Sequence, residues 1–140
     1  MKKNLTLTLL GFLVACSQNN TVNDFNLVEM DQVYSPASGV CTATFTLTEV
    51  YGQQVSLIEL SVSMRDALDR RTSFVYSGQG MLDVLTSNVL PANGQVQGGL
   101  SLNLAGGGLV TPPAVGTLLV VGNTTFGTSQ FVGDLSCNSF

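Results

Sequence analysis

Polar and apolar residues alternate along most of this chain with a period of two. From Val40 to Val50, Cys41, Ala43, Phe45 and Leu47 fall on one face and Thr42, Thr44, Thr46 and Thr48 on the other. A pleated strand sends successive side chains to opposite faces, so the pattern predicts a half-buried strand. Tyr51-Gly52-Gln53 predicts a turn. Val55 to Met64 predicts a second strand, with Ile58, Leu60, Val62 and Met64 inward. Thr72 to Ser77 predicts a shorter one, and Met81 to Leu90 fits a short helix nearly as well as a strand. Pro91-Ala92-Asn93-Gly94 combines the residues that favour tight turns. After it, Val96, Gly98, Leu100, Leu102 and Leu104 share an inward face. Gly106-Gly107-Gly108 and Pro112-Pro113 bracket a loop. The apolar run from Thr117 to Val121 predicts a strand covered on both faces, ended by Gly122-Asn123. Phe131, Gly133, Leu135 and Cys137 share the inward face of the last strand. About seven or eight short strands with turns between them predict an all-β fold. An antiparallel β-sandwich is the first reading and a barrel the alternative.

The N-terminal segment follows another logic. Lys2 and Lys3 precede an apolar run from Leu5 to Val14, interrupted only by Thr6, Thr8 and Gly11. This is the layout of a secretory signal. The run is shorter than the roughly 20 apolar residues that a membrane-spanning helix needs. It ends in Leu13-Val14-Ala15-Cys16, which resembles the lipobox of bacterial lipoproteins, where a small residue precedes a cysteine. The resemblance covers about a tenth of the chain. It implies cleavage after Ala15, a diacylglycerol on the sulfur of Cys16 and acylation of the new N-terminus. It also implies export to the cell envelope. In that family an aspartate after the cysteine favours retention at the inner membrane. Ser17 therefore points to the outer membrane in a host with two membranes. Ser17 to Asn23 is polar and aperiodic and predicts a tether. The expected organisation is a helical signal peptide at 1–15, a lipidated N-terminus and tether at 16–23, and one β-sandwich domain at 24–140.

Processing changes the charge. The chain carries five basic residues, nine acidic ones and no histidine. Without Lys2 and Lys3, three arginines face nine acids, a net of −6. Such a body is a poor binder of nucleic acid or anionic lipid, so its membrane partner is reached through the lipid. With Cys16 lipidated, Cys41 and Cys137 remain, and an exported pair in an oxidising compartment predicts a disulfide. Each lies on the apolar face of its own strand. The layout resembles an immunoglobulin-like sandwich in architecture. The cysteines lie further apart than in true immunoglobulin domains and the core tryptophan is missing, so the resemblance implies the architecture class and no functional residues.

The missing histidine removes the Ser-His-Asp and Cys-His schemes and the commonest metal ligand. No catalytic residue, metal site or cofactor is expected. A carboxylate pair at Glu49 and Glu59 would be the remaining route to hydrolysis, but both are read as solvated residues of outer faces. Asp24 and Asp31 lack the spaced acidic ligands of a calcium loop. Ser77-Gly78-Gln79-Gly80 and Gly106-Gly107-Gly108 lack the residues that complete nucleotide-binding loops and are read as flexible. All three arginines fall in Arg65-Asp66-Ala67-Leu68-Asp69-Arg70-Arg71. This predicts a solvated connection with an Asp66–Arg70 pair. Alternatively, Arg65, Arg70 and Arg71 contact an anion or a partner, because guanidinium forks suit carboxylates and phosphates. The leading functional expectation is a non-catalytic envelope lipoprotein that makes protein or glycan contacts or serves a structural role. A carrier of a small apolar ligand, held in a barrel or between sheets, is the alternative.

Overall fold

The computed structural model describes the backbone of residues 25–35 and all of residues 39–140. The expected signal peptide, Cys16, the tether, Asp24 and the side chain of Asp31 lie outside the described residues. Eight strands follow in order: β1 (Phe25–Ser35), β2 (Val40–Glu49), β3 (Val55–Arg65), β4 (Arg71–Ser77), β5 (Val89–Leu90), β6 (Gln95–Asn103), β7 (Ala114–Thr124) and β8 (Gly127–Cys137). They form two antiparallel sheets and no closed barrel. One sheet runs β1-β2-β6 and the other β4-β3-β7-β8, with β5 beside the start of β3. The protein is an all-β antiparallel sandwich.

Binary patterning explains most of this. In β2, Cys41, Ala43, Phe45 and Leu47 are buried, and in β6 so are Val96, Leu100 and Leu102. They pack against Leu60, Val62 and Met64 of β3, Leu118 and Val120 of β7, and Leu135 of β8 in one core. Gly98 also faces inward, directly opposite Phe45 in the β2–β6 ladder. The ring of Phe45 fills the space that a Cβ at position 98 would need. A glycine in a strand here serves close packing, because any side chain would displace the ring.

Three expectations change. First, the inward set of β3 is Val55, Leu57, Leu60, Val62 and Met64, and Ile58 is exposed. A bulge between Leu57 and Glu59 adds one residue opposite β7 and shifts the inward phase. Second, β7 is longer than expected and is buried on one face only. Leu118 and Val120 point into the core, while Leu119 and Val121 are half-buried on the other side. Gly122 does not end the strand but pairs with Leu57. Third, the ambiguous segment is neither a simple helix nor a strand. Residues Gly78–Asp83 form a 3-10 helix that buries Met81, Leu85 bridges to Gly98, and β5 pairs with Val55 and Ser56. Ser77 is the N-cap of this helix and Gly78–Gly80 form its first residues. The triglycine turn is likewise pinned: Gly106 N–H donates to Asn103 Oδ1 at 2.8 Å and Gly107 N–H to the Asn103 carbonyl at 3.0 Å.

Cys41 and Cys137 form a disulfide with a Cα–Cα separation of 6.2 Å across 96 residues. It joins β2 of one sheet to β8 of the other, at the edge of the shared core.

Candidate functional site

Two carboxylates that look like surface residues in the sequence are buried. Glu49 continues the inward parity of β2 after Leu47 and is 1% exposed. Its Oε1 accepts from Tyr51 N–H at 2.7 Å, and its Oε2 from Gly52 N–H at 2.9 Å and Asn93 N–H at 2.7 Å. This carboxylate therefore ties the β2–β3 turn to the Pro91–Gly94 turn. Gly52 and Asn93 both adopt positive φ, at 76° and 53°, in the tight bends that present those N–H groups. Glu59 sits on the other sheet, paired with Val121 and Ser77. The burial of Glu49 corrects its reading as a solvated residue, and the two acids lie on strands of different sheets.

Asp66 is the second. Its side chain is 0% exposed. Oδ1 accepts from the backbone N–H groups of Leu68 and Arg70, both at 3.0 Å. Oδ2 accepts from Arg70 Nε at 2.9 Å, Val110 N–H at 3.0 Å and Thr111 N–H at 3.2 Å. The Asp66–Arg70 pair read from the sequence is thus present, inside a larger knot that binds the β3–β4 loop to the segment before β7. Arg70 also donates from Nη2 to Thr111 Oγ1 at 3.0 Å.

Burial alone would raise the pKa of both acids. For Asp66 the N–H donors of Val110, Arg70, Thr111 and Leu68 outweigh it and hold the carboxyl well below the usual carboxylate range. For Glu49 the N–H donors of Asn93, Gln53, Tyr51 and Gly52 likewise lower it. Strongly ionised carboxylates saturated with donors are poor general bases; their chemistry here is to hold turns. A folded pKa below the unfolded one stabilises the protein above the unfolded value and ceases to do so as pH falls. The ordinary values are 3.8 and 4.5. The melting temperature should therefore fall steadily as pH drops from about 5 to about 2. Calorimetry in stepped buffers checks this, and a flat profile across that window contradicts it.

The other two arginines are differently placed. Arg65 and Arg71 are partners across the β3–β4 ladder. Both reach Asp69, at 3.7 and 3.2 Å, yet their side chains remain 59% and 71% exposed. Exposed pairs of this kind contribute little, about 0–1 kcal/mol, so the guanidinium groups stay accessible. They border a groove of about 480 Å³ on the outer face of the β4-β3-β7-β8 sheet. Ser63, Ser73 and Thr117 supply hydroxyls to its walls. Adjoining grooves open beside Asp69 and beside Asp134. The structure therefore divides the arginine cluster: Arg70, 42% exposed, is tied to the buried Asp66, while Arg65 and Arg71 are more exposed and pair with the exposed Asp69.

The two outer faces differ. On the β1-β2-β6 sheet, β2 and β6 present threonines and Gln95, Gln97, Gly99, Ser101 and Asn103. On the other sheet Val115 is exposed opposite Arg65, and Val75 and Val132 are exposed further along the same face, level with Ser61. The apolar run of β7 contributes to this face, which is half-buried at Leu119 and Val121 and not covered as the run predicts.

No family model matches the chain, and no curated protein matches it. Its architecture is nevertheless shared with solved structures. It is similar to an X-ray structure of a Northeast Structural Genomics Consortium target, with a TM-score of 0.59 at 14% identity over 86% of this chain and 90% of that one. It is also similar to a Bordetella pertussis protein described as ApaA, with a TM-score of 0.51 at 15% identity over 84% of this chain and 97% of that one. A protein described as late embryogenesis abundant (LEA), solved in solution, gives 0.52 at 13% identity over 94% and 80%. Identities this low show a common fold alone.

Proposed function

We propose that the mature protein is an envelope lipoprotein whose sandwich makes non-catalytic contacts with an envelope protein or glycan. The lipid on Cys16 would hold it at a membrane, the outer one in a host that has two. The observation that carries the contact reading is the accessible Arg65–Arg71 pair over a hydroxyl-lined groove, beside an outer sheet face with exposed valines. Guanidinium groups beside hydroxyls suit a partner that offers carboxylates or phosphates. The lipobox-like Leu13-Val14-Ala15-Cys16 supports the anchor.

Mass spectrometry of the membrane-extracted protein tests the anchor through cleavage after Ala15 and acyl mass on Cys16. For the contact, the lipidated protein is used to recover partners from envelope extracts. The Arg65→Ala/Arg71→Ala variant should recover at least about tenfold less of the partner. Both side chains are exposed, so its melting temperature should stay near that of the parent. Equal recovery by variant and parent would falsify the role of the pair.

A further inference from the structure

The topology gathers one set of features at one end of the sandwich. β1 begins at Phe25, which pairs with Glu49 at the end of β2. The β2–β3 turn, the Pro91–Gly94 turn and the β7–β8 hairpin lie at that same end. Glu49 N–H donates to the Gly94 carbonyl, and Ser56 pairs with both Val89 and Asn123. Val50, Tyr51 and Phe126 project from these turns and are 48%, 59% and 83% exposed. No residue of the turns 50–54, 91–94 and 124–127 is charged. Among the described residues the carboxylate beneath them, Glu49, is buried among N–H donors, and Asp24 immediately precedes Phe25 in the sequence. Every arginine lies at the opposite end, between Arg65 at the finish of β3 and Arg71 at the start of β4.

Cys16 stands nine positions before Phe25. Nine extended residues reach at most about 30 Å. A lipid on Cys16 therefore keeps the end with the three uncharged turns close to the bilayer. Aromatic side chains with an apolar body and, in tyrosine, a polar tip settle at the lipid–water interface, and an uncharged surface loses no ion hydration there.

We infer that this end is a bilayer-docking surface, with Val50, Tyr51 and Phe126 entering the headgroup region of the membrane to which Cys16 is attached. The inference rests on the lipidation of Cys16 and adds an orientation to it. The sandwich stands upright, and the Arg65–Arg71 groove faces away from the lipid toward a partner.

The protein has no tryptophan, so a single one can report depth. Phe126→Trp places it at the docking end and Leu68→Trp in the exposed loop at the opposite end. Both replace exposed residues. Each full-length variant is processed in cells, purified with its lipid and reconstituted into phosphatidylcholine vesicles containing brominated acyl chains. Intact mass of the same preparations reads acylation of Cys16. The expected result is acylated protein in which Phe126→Trp emission is blue-shifted and quenched at least about twice as strongly as that of Leu68→Trp. Unacylated Cys16 overturns both the anchor and the docking surface. Acylated protein with equal quenching, or none, at the two positions overturns the docking surface alone. A blue shift of Phe126→Trp that follows protein concentration without lipid assigns the end to a second copy and overturns it too.

Discussion

Replacing Cys41 and Cys137 together by alanine is expected to lower the melting temperature by about 10–20 °C, corresponding to a loss of roughly 2–5 kcal/mol. The bridge closes a loop of 96 residues. In the chain-entropy account, a cross-link of that span restricts the unfolded ensemble far more than a local one. It is also the covalent tie between β2 and β8, strands of different sheets that share no ladder. Both residues are 1% exposed, so alanine leaves a small apolar site without a new polar group, whereas serine would add a buried hydroxyl at further cost. Calorimetry of the parent, the parent under reductant and the double variant checks this. The reduced parent and the variant should melt together, well below the oxidised parent. A variant melting within about 2 °C of the oxidised parent would show that the loop closure contributes little.

Several features of this bridge and its strands were legible in the sequence. β2, β6 and β8 keep unbroken period-two alternation, so Cys41 and Cys137 could be placed on inward faces from parity alone. β3 shows where parity fails. A single extra residue at the bulge near Ile58 turns the inward set from Val55 and Leu57 to Leu60, Val62 and Met64. No composition signal marks the insertion, because Ile58 is itself apolar. β1 escaped for a related reason. Its register also shifts between Leu27 and Glu29, and its acidic and apolar residues do not alternate cleanly. β7 erred in the other direction. Its outward residues Leu119 and Val121 are apolar, so a strand with one exposed face reads as fully covered.

The buried acids mark a deeper limit. Glu49 continues the parity of Cys41 to Leu47, yet its charge led to the outer-face reading that the structure corrects. What the local pattern could not supply was the reason a carboxylate is tolerated there, namely an N–H donor from Asn93, 44 residues away. The same holds for Asp66, whose donors include Val110 and Thr111. Satisfaction of a buried charge is a property of the assembled fold. The two arginines left accessible by that assembly follow from it. Only once Arg70 is consumed by Asp66 do Arg65 and Arg71 stand out as the cations open to a partner.

Substitution of Asp66 should therefore be the most damaging single polar change in the β3–β4 loop. Asp66→Ala is expected to lower the melting temperature by about 10 °C, and Asp66→Asn by somewhat less. Alanine leaves the N–H groups of Leu68, Arg70, Val110 and Thr111 without their acceptor, and donors stranded in a site closed to solvent are costly. Asparagine restores one acceptor oxygen but turns an amide NH₂ toward donors that need a lone pair. Arg70→Met removes one charged partner and spares the backbone bonds, so its shift should be about 2–4 °C. The ordering separates two accounts of this knot. If the ion pair were its main element, Arg70→Met would cost as much as Asp66→Ala; if backbone capture is, aspartate must matter far more than arginine. The loop also sets the position of Arg65 and Arg71 through the turn at Asp69, a non-glycine residue with φ of 60°. Asp66→Asn measured well below its melting temperature should consequently weaken partner recovery even though residue 66 is closed to solvent. Unchanged recovery in a demonstrably loosened loop would separate the arginine pair from the knot that supports it.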